Sequence, residues 1–281
     1  MQVIKTPAEM QMWSRSQGMT GLKIGLVPTM GFLHEGHLSL VRQARELCDA
    51  VVVSIFVNPI QFGEGEDFDQ YPRDLSRDFA LLEKEGADVA FAPEVRDMYP
   101  EKMSTFVEIT SMDDKLCGRS RPGHFRGVAT VVSKLFNICQ PQMGFFGQKD
   151  AQQAIIIEKM VRDLNFPLEI VVGEIIREAD GLAMSSRNVY LSPADRKNAV
   201  VLYQSLLKAK DLVADGVNRP AEIIKAITDL INQTPGAVID YVEILSGRDL
   251  SEIEEIKGKV LLALAVKFGN TRLIDNLLLE V

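Results

Sequence analysis

Cysteine is scarce in this chain: Cys48, Cys117 and Cys139 are the only three in 281 residues, widely spaced and without a CxxC pair. An odd, scattered set argues against a disulfide framework or a thiolate metal knuckle, and fits reduced thiols in a cytoplasm. Long apolar runs are absent too, and residues 1–20 hold nothing like the core of a signal peptide, so neither a membrane span nor a secretory leader is expected. Positive charge is in deficit, with 31 Lys and Arg against 39 Asp and Glu and a net charge of −8. That balance excludes a general surface for nucleic acid or anionic membrane. Any phosphate ligand must be met by a local cationic cluster. There is no repeat, no low-complexity stretch, no Ser-His-Asp constellation and no thiol in an activating context. What remains is 46% apolar and 25% charged, enough for one large domain or two modest ones.

The first 175 or so residues alternate two signals. Near-continuous apolar runs at 22–28, 50–57, 88–92, 105–110, 142–146 and 168–176 read as strands. Amphipathic patterns at 36–48, 73–86, 126–139 and 150–163 read as helices. Apolar strands spaced by helices predict an α/β fold, a Rossmann-like, doubly wound parallel sheet covered on both faces. Ligands in such sheets bind beyond the carboxyl ends of the strands. After Ile176 the pattern changes to a polar, Gly-containing loop. Helices at about 193–215 and 219–233 then precede strands at 238–246, 259–267 and 271–280. The expected division is a nucleotide-binding domain over 1–176 and a smaller C-terminal α+β domain over 177–281 that covers the active site.

Pro28 to His37 occupies the turn where the first strand feeds a helix. Free N–H groups and the helix dipole favour an anion there, and Gly31 and Gly36 allow close approach to the backbone. His34 and His37 beside a phosphate can donate hydrogen bonds where negative charge develops. The competing readings are two structural histidines, or a shortened zincin motif. The latter lacks the spacing that sets both rings one helical turn apart, and no third ligand presents itself.

Other polar clusters follow predicted strand ends. Asn58-Pro59-Ile60-Gln61 offers amide donors and acceptors suited to a small hydroxy acid, or a plain turn. Glu64 to Asp69 reads as a mobile flap or a solvated loop. Gly118 to Gly127 concentrates three arginines and His124 in a loop before a helix, with no specific role assigned. Gly147-Gln148-Lys149-Asp150 places a point charge for a phosphate beside a carboxylate for a ribose hydroxyl or a Mg²⁺-bound water, and Gln153 follows one turn on. Met184-Ser185-Ser186-Arg187 supplies two hydroxyls and a guanidinium, which suits a triphosphate.

Together these segments resemble known motifs. Pro28–His37 is similar to the HxGH signature of nucleotidylyl transferases, and Met184–Arg187 to a variant of their second, KMSKS-type loop. With Asn58–Gln61 through Tyr71-Pro72-Arg73, Arg121–Gly127, Gly147–Gln153 and Arg177–Asn188, the chain resembles the pantothenate synthetase (pantoate–β-alanine ligase) family. A small departure is Gln142, where the family pattern has an aspartate. The resemblance implies a two-step ligation: ATP and (R)-pantoate form pantoyl adenylate and pyrophosphate with Mg²⁺, and β-alanine then displaces AMP. It implies ATP binding by Met30, Gly31, Phe32, Leu33, His34, Glu35, Gly36 and His37, by Gly147, Gln148, Lys149 and Asp150, and by Met184, Ser185, Ser186 and Arg187, with the main chain of Ile176 at the adenine. His37 would be the proton donor, with His34 and Lys149 as its catalytic neighbours. Gln61 would contact pantoate and β-alanine, and Gln153 pantoate. It further implies a cytoplasmic homodimer; no metal ligand is assigned, and the charge balance points to no nucleic-acid or membrane partner. A nucleotidylyltransferase that leaves the nucleotide on its product, or a non-catalytic nucleotide-binding regulator, remains compatible with the same residues.

Overall fold

The computed structural model describes residues 1–281. Six strands, β1 (Gln2–Ile4), β2 (Ile24–Thr29), β3 (Ala50–Ile55), β4 (Val89–Phe91), β5 (Met143–Gly147) and β6 (Glu169–Gly173), form one parallel sheet in the order β1-β4-β3-β2-β5-β6. The helices in this part are α1 (Pro7–Met19), α2 (Glu35–Leu47), α3 (Leu75–Lys84), α4 (Val95–Met98), α5 (Leu116–Ser120), α6 (His124–Cys139) and α7 (Ala151–Asp163). The rest of the chain adds α8 (Pro193–Asn198), α9 (Val201–Ala214), α10 (Pro220–Asn232) and an antiparallel sheet of β7 (Ala237–Ser246), β8 (Lys259–Phe268) and β9 (Thr271–Glu280).

The alternation of side chains along a strand explains the layers. In β3, Val51 and Val53 join the buried cluster that holds Leu38, Val41 and Ala44 of α2 and Leu82 of α3. Val52 points the other way, into the cluster with Met10 of α1 and the apolar stripes of α6 and α7. Both faces are thus covered, as a parallel sheet requires. Fully buried side chains such as Leu26 and Phe145 contribute roughly 1.5–3 kcal/mol each by leaving water. The same two-faced logic recurs in β8. Leu261, Ala263 and Ala265 complete the cluster under α6 and α7, while Leu262, Leu264 and Val266 pack with Leu202, Leu206, Ile223 and Ile227 of α9 and α10.

The chain runs from β2 outward to β3 and β4 on one side, then returns to place β5 and β6 on the other. The strand order therefore reverses between β2 and β5. The crevice outside the carboxyl ends of that pair is where an open α/β sheet binds ligands.

Three details differ from the pattern read in the sequence. Residues 105–110 are extended but join no sheet. They lie along α6, with Val107 N–H donating to Thr130 Oγ1 at 3.0 Å, and Val107 and Ile109 pack on the core. Alternating apolar residues mark a half-buried extended segment and do not by themselves provide a strand partner. The single helix expected over 193–215 is broken between Asn198 and Val201. The edge strand β1 and helix α1 went unread, although Thr6 accepts from Glu9 N–H as an N-cap and Pro7 opens the helix. At Gln142, Oε1 accepts from Ile24 N–H at 2.8 Å, a bond open equally to a carboxylate oxygen.

Candidate active site

The turn after β2 is built around a buried carboxylate. Asp78 of α3, 1% exposed, accepts from Phe32 N–H and Leu33 N–H, both at 2.8 Å. Those bonds hold Gly31 at φ +80° and Phe32 at φ +49°, a left-handed pair that an ordinary side chain resists. A Cβ at Gly31 would sit 2.9 Å from Ile55 and 3.0 Å from the Asp78 carboxylate, so no other residue fits. Burial raises the Asp78 carboxyl above its ordinary value, and the two N–H donors oppose that.

The turn delivers His34 as the N-cap of α2. Its Nδ1 accepts from Gly36 N–H at 3.2 Å, and His37 Nδ1 accepts from His34 N–H at 3.3 Å, a reciprocal capping box made of two imidazoles. An Nδ1 that accepts carries no proton, so each ring is left with its proton on Nε2. The ring centroids are 4.1 Å apart. Burial, then Lys149, lowers the His34 pKa to about 4, and burial, then His34, holds His37 well below 6.5. Both rings are neutral hydrogen-bond donors at neutral pH.

Three further segments converge on this turn. After β3, the 3-10 turn Pro59–Gln61 brings Gln61, 9% exposed, against Met30. After β5, Lys149 and Asp150 stand 3.5 Å apart at the head of α7. Ser185 caps the 3-10 turn Ser186–Tyr190, and Ser186 Oγ donates to Phe32 O at 3.3 Å, tying the second signature loop to the first.

These residues enclose a cavity of about 200 Å³ lined by Met30, His34, Gly36, His37, Gln61, Gly147, Lys149, Asp150, Gln153, Ile176 and Met184 through Arg187. It adjoins a wider cleft of about 790 Å³ against β8 and β9, and Lys149, Asp150, Gln153, Ser185 and Arg187 line both. Five of the expected nucleotide-binding residues lie outside the inner wall. Leu33 is fully buried in the core, Gly31 and Phe32 form the strained turn, Glu35 pairs outward with Arg42, and Gln148 Nε2 donates to Asn276 Oδ1 at 2.9 Å. The cavity also has an apolar wall that sequence reasoning did not single out. Val128, Val131, Val132 and Leu135 of α6 face it, with Phe56 and the buried Tyr71. Their helical spacing reads as ordinary packing, so no local signal separates wall from core.

Two acidic residues of the 64–69 segment meet arginines. Arg187 holds Asp67 through Nε and Nη2, both at 2.9 Å, and Arg121 holds Glu66 at 2.8 and 2.5 Å. Arg121 Nη1 also donates to His124 Nε2 at 3.0 Å, which leaves His124 Nδ1–H to donate to Gln61 O at 2.8 Å. The basic loop, unassigned from sequence, thus ties the 64–69 segment to the Pro59–Gln61 turn.

A family model described as pantoate-beta-alanine ligase matches residues 2–278. The pantothenate synthetase of Syntrophomonas wolfei subsp. wolfei is 61% identical over 282 residues, and that of Acetivibrio thermocellus 57% identical over 281, each covering 100% of both chains. The crystal structure of pantothenate synthetase from Thermus thermophilus has a TM-score of 0.92 at 45% identity and covers 99% of either chain. The pantoate-beta-alanine ligase of Francisella tularensis, complexed with beta-gamma ATP and beta-alanine, has a TM-score of 0.82 at 34% identity, covering 99% of this chain and 97% of that one. A cavity at the sheet's switch point, two capped histidines and these matches over the whole length lead to one conclusion: the chain belongs to the pantoate–β-alanine ligase family, whose reaction is the ATP-dependent ligation that makes pantothenate.

Proposed function

We propose that the inner cavity activates (R)-pantoate as its adenylate and that β-alanine then attacks the acyl carbon, releasing AMP. The observation that carries this is the convergence of His34, His37, Lys149, Ser185, Ser186 and Arg187 with two glutamines on one cavity that holds no cysteine and no Ser-His-Asp arrangement. A carboxylate is a poor electrophile at neutral pH, and transfer to phosphorus makes its oxygen a good leaving group. Such a reaction needs positioning and stabilisation of charge at the α-phosphate.

In this reading the Nε2–H groups of His34 and His37 donate to phosphate oxygens at the N-terminus of α2, with Lys149 as a fixed positive charge. His37, first read as a proton donor, acts here as a neutral hydrogen-bond donor because its pKa lies well below neutrality. Ser185, Ser186 and Arg187 take the departing pyrophosphate, and the main chain at Ile176 lines the adenine end. Gly31, Phe32, Leu33 and Glu35 serve by shaping the turn, and Gln148 by holding β9. Gln61 and Gln153 bind the polar groups of pantoate, Gln61 also lying near β-alanine, while the α6 wall takes the geminal methyl groups.

Mg²⁺ fits this site as a companion of ATP: it needs one or two carboxylates besides the phosphates, and Asp150 beside Lys149 is placed to supply one. When bound, it neutralises phosphate charge. The segment 177–281 is proposed as the covering domain, and the flap as the barrier that keeps water from the adenylate. A cytoplasmic homodimer is the proposed setting, supported by three free, buried cysteines and by the family's typical assembly.

The test is AMP and pyrophosphate formation from ATP, Mg²⁺ and (R)-pantoate with and without β-alanine. Sustained AMP release that requires both substrates supports the reading. Turnover indifferent to the amine sinks it in favour of simple nucleotidyl transfer.

A further inference from the structure

We infer that Tyr99, at the end of α4, is a positioning residue for pantoate: acting through Asn58, it fixes which end of the Gln61 amide faces the cavity. The inference rests on the reading of Gln61 as a pantoate ligand and adds a residue outside the cavity wall.

The donor and acceptor sense of the relay follows from one main-chain carbonyl. Gly127 O carries no proton, so the group of Asn58 that faces it at 3.2 Å is the amino group, Nδ2. Asn58 Oδ1 is then turned to Tyr99, whose hydroxyl donates to it at 2.7 Å. Burial raises the Tyr99 phenol well above its ordinary value, so its proton stays in place. The second proton of Asn58 Nδ2 goes to Gln61 Oε1 at 3.0 Å. With Oε1 occupied, Gln61 must present its amino group to the cavity, where Nε2 lies 3.2 Å from Met30 Sδ. Thioether sulfur is a weak acceptor, and a carboxylate or hydroxyl oxygen of the substrate displaces it readily. Asn58 is 1% exposed and Gln61 9%, so water is poorly placed to substitute for a missing partner.

Gly127 is part of the device. A Cβ there would fall 2.3 Å from Ile60 O and 2.6 Å from Gln61 Cα, so only glycine lets the 59–61 turn sit close enough for the carbonyl to reach Asn58. Without the Tyr99 hydroxyl, Asn58 Oδ1 is buried and unpaired, and only the 3.2 Å bond to Gly127 O still opposes rotation of the two amides. A reversed Gln61 would face an anionic substrate with its oxygen.

Tyr99→Phe keeps the ring and removes only the hydroxyl. The expected result is a KM for pantoate raised about tenfold, the scale of one lost buried hydrogen bond, with the KM for ATP unchanged. In a Gln61→Ala background the same substitution is expected to add nothing further to the pantoate KM, because its effect passes through that amide. Asn58→Asp, which has no proton for Gln61 Oε1, is expected to raise the pantoate KM at least as much. The inference is overturned by an unmoved pantoate KM in Tyr99→Phe, by equal rises for both substrates, or by full additivity with Gln61→Ala. If Gln61→Ala itself leaves the pantoate KM unchanged, the failure belongs to the reading of the cavity.

Discussion

In the proposed reading His34 and His37 serve two purposes with one geometry. Each Nδ1 caps the helix, and that leaves each Nε2–H free for the proposed phosphate contact. His37→Ala is therefore expected to lower kcat by at least roughly 10²-fold and to lose a cap bond worth about 0.5–2 kcal/mol. Lys149→Ala should match the kcat loss while the thermal midpoint, read by circular dichroism, stays put. Comparable midpoints for the two variants would contradict the dual role. The rings also govern behaviour in acid. His34 and His124 have pKa values lowered from 6.5 to about 4, mainly by burial. The unfolded chain therefore takes up protons below about pH 6.5 that the folded chain refuses until about 4, so stability is complete above this window and falls as pH drops through it. Denaturant midpoints measured between about pH 7 and 5 should decline. His124→Gln should flatten that decline, and an unchanged slope would contradict the assignment. The histidines, Lys149 and Ser185–Arg187 were legible because they sit in short motifs at strand ends. Asp78 was not, since its bonds reach back 45 and 46 residues. Its one sequence sign is a charge on the buried stripe of α3 beside Leu82.

Elements meet at two close contacts that set the site's behaviour. Where α6 crosses the 59–61 turn, Gly127→Ala drives a methyl into main-chain atoms that cannot yield cheaply. A loss of about 1–3 kcal/mol in denaturant unfolding is expected, together with a raised pantoate KM; a neutral outcome would mean the turn moves freely. Where the proposed flap meets the second signature loop, Asp67 occupies Arg187, the group proposed for the triphosphate. Asp67→Asn should lower the KM for ATP several-fold by freeing the guanidinium and should raise AMP release without β-alanine, as water enters past a looser flap. Unchanged values for both would leave the pair a surface contact. The alternation of apolar strands and amphipathic helices made most of these elements readable. Residues 105–110 misled because a half-buried extended segment and a strand share a period of two, and only the sheet's edges decide between them.

At the scale of the whole molecule, neighbouring residues of β9 fasten the antiparallel sheet to Arg177 beyond β6 and to the loop after β5. Asp275, 2% exposed, pairs with Arg177 through contacts of 2.7 and 3.0 Å, and Asn276 Nδ2 donates to Gln148 O at 2.9 Å and Lys149 O at 3.0 Å. The Arg177 guanidinium also lies 4.2 Å over the Tyr203 ring. Burial raises the Asp275 carboxyl, and the Arg177 guanidinium opposes that rise. Asp275→Ala is expected to cost about 3 kcal/mol in denaturant unfolding, because Arg177 loses its partner. Such long-range fastenings were invisible in the sequence, where Asp275 and Asn276 interrupt a strand pattern for no local reason. The overall class of fold was visible throughout, since it depends on patterning alone.

The most direct test of the adenylate route follows the oxygen. Run with β-alanine and (R)-pantoate whose carboxylate carries a heavy oxygen isotope, the enzyme should release AMP containing one labelled oxygen, because the carboxylate attacks phosphorus and the amine later breaks the acyl carbon–oxygen bond. AMP free of label would contradict adenylation of pantoate and with it the roles assigned to His34, His37 and Lys149.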